Sequence, residues 1–117
     1  MANEIAVSFN ITASKNGAQF SKSGSDSITM TGTYMSVGVE LATTSDGTIP
    51  LGAIGTIGWI YIKNLDGTNY ISIGGDGSTY PLVILPGEFL VARWNAAAIH
   101  CKAHTASCLY EFGIIEN

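Results

Sequence analysis

Residues 57–74 of this 117-residue chain read IGWIYIKNLDGTNYISIG, two alternating apolar stretches on either side of an Asp-Gly pair. Such a pair favours a tight β-hairpin, because glycine accepts positive φ without steric cost. If Asp66 and Gly67 occupy the turn, Lys63 lies opposite Tyr70. Since side chains alternate between the two faces of a strand, this register places four isoleucines on one face, which we predict to be core. They are Ile60, Ile62, Ile71 and Ile73.

The opposite face of this predicted hairpin carries an aromatic band, formed by Trp59, Tyr61 and Tyr70, with Lys63 beside it. Trp and Tyr combine a large contact area with a polar group, so an exposed band is typical of a protein interface or a sugar-stacking platform. The alternative is that this face is core, because a sandwich buries one face of each sheet. The residues alone leave both interpretations open.

Turn signals rich in Gly, Asn, Asp and Ser divide the rest of the chain into short segments. Residues 4–13 alternate strictly and predict a half-buried strand, residues 18–21 begin a return strand, and residues 23–27 are predicted to be a loop. No window has the period of an amphipathic helix. Roughly eight strands predict an all-β fold, a single-domain antiparallel β-sandwich of jelly-roll type over residues 1–117. We expect residues 1–12 to form an extended strand or arm that pairs with a neighbouring subunit.

Charge is sparse in this chain, at 12% of residues, against about a quarter in an average protein. The net charge is −4 and the five basic residues are scattered, so we expect no nucleic-acid partner, which would need clustered cations. No apolar run approaches the roughly 18 residues of a membrane-spanning segment, and the N-terminus lacks the regions of a secretion signal. We therefore expect no membrane partner and a soluble chain made in a cytosol.

Both histidines and both cysteines fall within residues 100–108. On a strand, His100 and His104 share a face with Lys102 between them, and this cation disfavours a bound metal. Cys101 and Cys108 are predicted to be buried or semi-buried thiols without a metal or a disulfide. The chain has no nucleophile elbow, phosphate-binding loop or carboxylate pair, so we expect no enzymatic activity, no catalytic residues and no cofactor.

Two further stretches carry more apolar surface than a small monomer can bury. Met35, Val37, Val39 and Leu41 form one ladder, and residues 89–94 lack a polar face, which is typical of a strand covered on both sides. With the low charge, these stretches predict a homo-oligomer, for which a trimer is a natural closed form. The interface or binding residues that we predict are Trp59, Tyr61, Lys63, Tyr70, Phe89 and Trp94.

Several segments resemble a loose group of small bacteriophage virion proteins. These are residues 30–33 (MTGT), residues 58–74, residues 85–89 (LPGEF) with Arg93, and residues 109–112 (LYEF). Similar proteins are β-sandwich subunits of head decoration or cement proteins, fibre knobs and related parts, and carry no catalytic residues. The resemblance implies a virion component that binds protein surfaces, commonly as a trimer.

From this resemblance we expect a capsid decoration or cement protein, made in the host cytoplasm and located in the virion. Its partners would be further copies of itself and the major capsid protein or another virion protein. The alternative function is that of a carbohydrate-binding module, or of a receptor-binding fibre or tail-tip protein. That function would stack a glycan on Trp59, Tyr61 and Tyr70.

Overall fold

The described part of this computed structural model, residues 3–117, consists of ten β-strands joined by turns and loops, without a helix. All strand pairs are antiparallel, so the prediction of an all-β chain is confirmed. The strands are β1 (Ile5–Lys15), β2 (Ala18–Ile28), β3 (Met35–Ala42), β4 (Gly47–Thr48), β5 (Ile57–Asn64), β6 (Ile71–Gly74), β7 (Leu82–Ile84), β8 (Phe89–Arg93), β9 (His100–Ala103) and β10 (Cys108–Glu116).

The chain divides into two units, Met1–Thr31 and Gly32–Asn117. The first, described from residue 3, is a two-stranded ribbon in which β1 pairs with β2 along all eleven residues. Asn16 and Gly17 form its turn with φ of 51° and 85°, the two positive values that a type I′ hairpin turn requires. The predicted loop at residues 23–27 is wrong, because these residues pair with β1 as part of β2.

The ribbon is more exposed than its alternation predicts. Ile5 is buried, but Phe9 and Ile11 are 48% and 54% exposed, so the prediction of a half-buried strand is wrong for most of β1. The two strands of this unit provide no second layer of their own to cover the apolar side, which is consistent with the exposure. Of the predicted arm at residues 1–12, the first two residues lie outside the described residues, and β1 accounts for most of the others.

The second unit holds two four-stranded sheets. The β3 sheet has the order β3-β10-β5-β8, and the β4 sheet has the order β4-β9-β6-β7. The predicted hairpin is therefore wrong, because β5 pairs with β8 and β10 whereas β6 pairs with β7 and β9. The predicted core face is confirmed, since Ile60, Ile62, Ile71 and Ile73 are at most 1% exposed.

One buried side chain fixes the crossing from β5 to β6. The Asn64 amide nitrogen donates to the carbonyls of Asn69 and Ile84 at 2.9 and 3.1 Å, and its oxygen accepts from the Asp66 N–H at 2.9 Å. Asp66 in turn accepts from the N–H groups of Thr68 and Asn69. The Asp-Gly segment consequently forms a wider loop between the sheets rather than a two-residue hairpin turn.

Buried residues of both sheets form one hydrophobic cluster in the second unit. Isoleucine dominates it, because a β-branched side chain fits the pleated surface of a strand. Its fully buried members include Ile49, Ile60, Ile62, Ile71, Ile73, Ile84, Ile99 and Ile114.

Near the C-terminus of the second unit, the Glu116 carboxylate binds two loops. It accepts hydrogen bonds from the N–H groups of Gly55 at 2.8 Å, Thr33 at 2.9 Å and Tyr34 at 3.1 Å. These three donors, Gly55 first, lower the pKa of Glu116 because they favour the ionised form.

We expect Asn64→Ala to lower the free energy of unfolding by about 3 kcal/mol, because it leaves buried carbonyls and an N–H without partners. Urea denaturation followed by circular dichroism measures this loss. Asn95→Ala is the matched control, since Asn95 is exposed, and its effect should stay within about 0.5 kcal/mol. Equal effects of the two substitutions would contradict the structural role of Asn64.

We expect Glu116→Gln to lower the melting temperature at neutral pH and to lose this effect in acid. A lowered carboxylate pKa contributes stability above the unfolded value of 4.5, and the contribution disappears as the pH falls through the folded pKa. Thermal melting of both proteins between pH 7 and pH 3 measures the difference. A difference that is constant across this range would contradict the role of the ionised carboxylate.

Candidate interaction surface

The β3 sheet has one side that faces away from the buried isoleucines. The strand registers place the odd-numbered residues of ranges 35–41, 59–65, 89–93 and 109–115 together on this side, which we call the outer face. Even-numbered residues of the same strands, such as Ile60, Ile62 and Ile114, point into the core. The outer face is therefore a continuous surface that spans four strands.

Large exposed apolar side chains concentrate on the outer face. Val37 is 76% exposed and Phe89 is 68% exposed, values that are unusual for such residues in a small soluble protein. The exposed apolar members are Met35, Val37, Val39, Leu41, Leu65, Phe89, Val91 and Leu109. The outer face thus has the composition of a surface that another molecule covers.

Strand β3 carries its apolar residues on the outer side and its small or polar residues on the inner side. The inward Ser36 donates its hydroxyl to the Pro50 carbonyl at 2.8 Å. A Cβ atom on the inward Gly38 would lie 3.4 Å from the ring of the buried Phe112, at ordinary van der Waals distance, so this glycine faces the core. The usual amphipathic pattern of a sheet at the edge of a core is reversed in this strand.

Two charged residues lie near the centre of the outer face. Glu111 on β10 is directly opposite Lys63 on β5, with Val39 and Phe89 in the same cross-strand row. Glu111 accepts a hydrogen bond from the Tyr61 hydroxyl at 2.8 Å, and this bond raises the pKa of Tyr61. Among residues 3–117, no carboxylate oxygen lies within 4.0 Å of the Lys63 amine, so Lys63 forms no ion pair there.

The structure brings four of the six predicted interface residues together on the outer face, namely Trp59, Tyr61, Lys63 and Phe89. Trp59 is half-buried, and its indole N–H is buried without a hydrogen-bond partner in the described chain. Phe89 lies on the edge strand β8 and is exposed on the outer side, so the single chain does not cover both sides of this strand.

The other two predicted residues lie elsewhere. Tyr70 precedes β6, and its ring stacks on His104 with centroids 4.4 Å apart, so the register that placed it beside Lys63 is wrong. Trp94 follows β8, packs against the hydrophobic cluster and donates its indole N–H to the Ala98 carbonyl at 3.0 Å. The three aromatics proposed for sugar stacking do not form one platform.

Some members of the outer face were not predicted from the sequence, among them Leu65, Leu109 and Glu111. The alternation of β10 contained a usable signal, because Tyr110, Phe112 and Ile114 occupy one face and place Leu109 and Glu111 on the other. The pairing of β10 between β3 and β5 is what brings Glu111 beside Lys63, and local periodicity does not determine such long-range pairing.

A second polar cluster surrounds Asp46, just before β4. Its carboxylate accepts a hydrogen bond from the Tyr80 hydroxyl, and His100 Nδ1 lies 3.1 Å from both carboxylate oxygens. The Tyr80 bond is the main cause that lowers the pKa of Asp46, and it raises the pKa of Tyr80 to about 12. Lys102 lies over the Tyr80 ring, 4.9 Å from its centroid. These contacts connect the loop before β4 and the loop before β7 with strand β9.

Neither the Lys63 and Glu111 pair nor the cluster around Asp46 resembles a metal centre. Among residues 3–117, no group of three or more His, Cys, Asp or Glu side chains is placed to hold a metal ion. Residues 3–117 include no helix that is long and apolar enough to cross a membrane.

A scan against models of protein families, a search of curated proteins and a search of solved structures found no match to this chain.

Cys101 and Cys108 are free and buried, which confirms the prediction of buried thiols. Burial raises the pKa of both thiols, so they stay protonated at neutral pH.

We expect a thiol-specific reagent such as Ellman's reagent to react with both cysteines in urea but only slowly in the native protein, because only the accessible thiolate attacks. The absorbance of the released thionitrobenzoate at pH 7.5 counts the reactive thiols. Cys101→Ala and Cys108→Ala serve as matched controls that assign each thiol. Rapid reaction of either thiol without denaturant would contradict its burial.

Proposed function

We propose that this chain is a non-enzymatic structural protein of a bacteriophage particle, a decoration or cement protein that binds the particle surface as a homo-oligomer. The observation that supports it best is the outer face, a wide apolar surface left exposed on a folded unit. Its exposed members include the Met35 to Leu41 ladder and Phe89. The sequence resemblance to small virion proteins supplies the biological setting and implies a trimer.

We also propose that the second unit is a β-sandwich of jelly-roll type. A jelly roll winds eight strands as two Greek keys into two four-stranded sheets. Strands β3 to β10 number eight, and their orders, first-eighth-third-sixth and second-seventh-fourth-fifth, are those that this winding gives. The shared hydrophobic cluster of the two sheets supports a face-to-face arrangement.

The mechanism we propose is adhesion. Apolar surface removed from water contributes roughly 25 cal/mol per Å², so a modest contact between neighbours is weak alone. Many such contacts on one particle, linked through an oligomer, act as a multivalent attachment that resists separation of the shell subunits. Rigid antiparallel sheets suit this role, because they present a surface without a large entropic cost on binding.

In this proposal, the β1–β2 ribbon is the arm that contacts a neighbouring subunit. Its apolar side, with Phe9, Ile11 and Phe20 each about half exposed, offers a second surface for a neighbouring subunit. Because β2 already occupies one edge of β1, pairing with a neighbour would use the outer edge of either strand.

The test is the presence of the chain in purified virions. Antibodies raised against the purified protein should detect it by immunoblot in gradient-purified particles of the phage that encodes it, while a host cytosolic protein serves as the negative control. Immunogold on the head would support the decoration role. Gold at the tail tip would favour the receptor-binding alternative, and absence from the particles would overturn the proposal.

A further inference from the structure

We propose that the outer face binds the outer face of a second copy of this chain, with Lys63 of one copy paired to Glu111 of its neighbour. This inference rests on the proposed oligomeric function and names the partner of its surface. Three properties of the face support a second copy: its size, the reversed pattern of β3, and the arrangement of its charges.

The outer face has the size of an interface core. Four strands about 4.8 Å apart and seven residues at about 3.4 Å per residue give an area of roughly 450 Å². A stable interface buries about 800 Å² per partner, with an apolar centre and a polar rim. The face therefore supplies the centre of a standard interface, and the surrounding loops supply a rim.

The reversed pattern of β3 supports the burial of the outer face against another molecule when the protein functions. In the single chain, Val37 and Val39 point outward while Ser36 and Gly38 point inward. A strand that stayed in water would place its polar residues outward. Covering the face with another apolar face removes this exposed surface from water, and a second copy presents a matching one.

The two charges at the centre of the outer face can each pair with the opposite charge of a second copy. Lys63 and Glu111 give the centre one cation and one anion on adjacent strands, so its net charge is zero. A partner with a strongly basic or acidic surface would place one of them against a like charge. A second copy places each beside its opposite.

A simple symmetry brings these charges together. A two-fold axis between the two faces, parallel to the strands and midway between Lys63 and Glu111, lays each lysine over the neighbour's glutamate. This closed two-fold symmetry pairs both central charges of each copy.

The first step of the test is light scattering after gel filtration of the full chain. Wild-type protein should elute with a mass above that of one chain. Lys63→Glu and Glu111→Lys should each weaken association tenfold or more, because the interface then holds only like charges. Glu40→Lys is the matched control, since this exposed residue lies off the outer face, and this variant should associate as the wild type does.

The deciding step mixes the two charge-reversed proteins. Each chain keeps its own like charges, so only contact between different chains restores opposite pairs. Native mass spectrometry should find complexes that contain both variants, while circular dichroism verifies that each variant is folded. A monomeric wild-type protein, or a mixture that stays monomeric, would overturn the inference. Detection in virions is a separate readout, so failure here is distinguishable from failure of the proposed function.

Discussion

The second unit depends on the buried amide of Asn64, which ends one sheet and starts the route to the other. Its side chain satisfies the carbonyls of Asn69 and Ile84, and its main chain bonds with Glu88 and Gly87. A buried polar group is tolerated only when its hydrogen bonds are made, so the fit of this amide admits few alternative arrangements. One consequence is that β5 and β6 contribute to the same core from different sheets.

Local sequence predicted which side chains are buried better than it predicted which strands pair. The two-residue period placed Ile60, Ile62, Ile71 and Ile73 in the core, because alternation holds for any partner strand. The Asp-Gly signal predicted a hairpin, but Asp66 uses its carboxylate to bond the N–H groups of Thr68 and Asn69 in a longer loop. The choice of partner depends on residues far along the chain, which no local window contains.

In the β1–β2 ribbon, the local sequence predicted a loop where the structure has a strand. Residues 23–27 consist of serine with a glycine and an aspartate, a composition that predicts a loop. They form a strand because β1 pairs with all of β2 through main-chain bonds, with the turn set by Asn16 and Gly17. Serine and glycine contribute little to strand propensity, so the evidence for β2 lies in its partner and its turn.

The difference between local pattern and long-range strand pairing also explains which residues of the outer face could be predicted. Trp59, Tyr61, Lys63 and the β3 ladder were accessible to periodicity, whereas Glu111 acquired meaning only when β10 was placed between β3 and β5. An apolar surface alone attracts any other apolar surface, so it provides affinity without selecting a partner. A central pair of opposite charges penalises contacts that leave either charge covered and unpaired, so it favours one partner and one register. The proposed contact between outer faces therefore needs few charges to be specific, because Lys63 and Glu111 lie at the centre of the face, where a wrong contact is most costly.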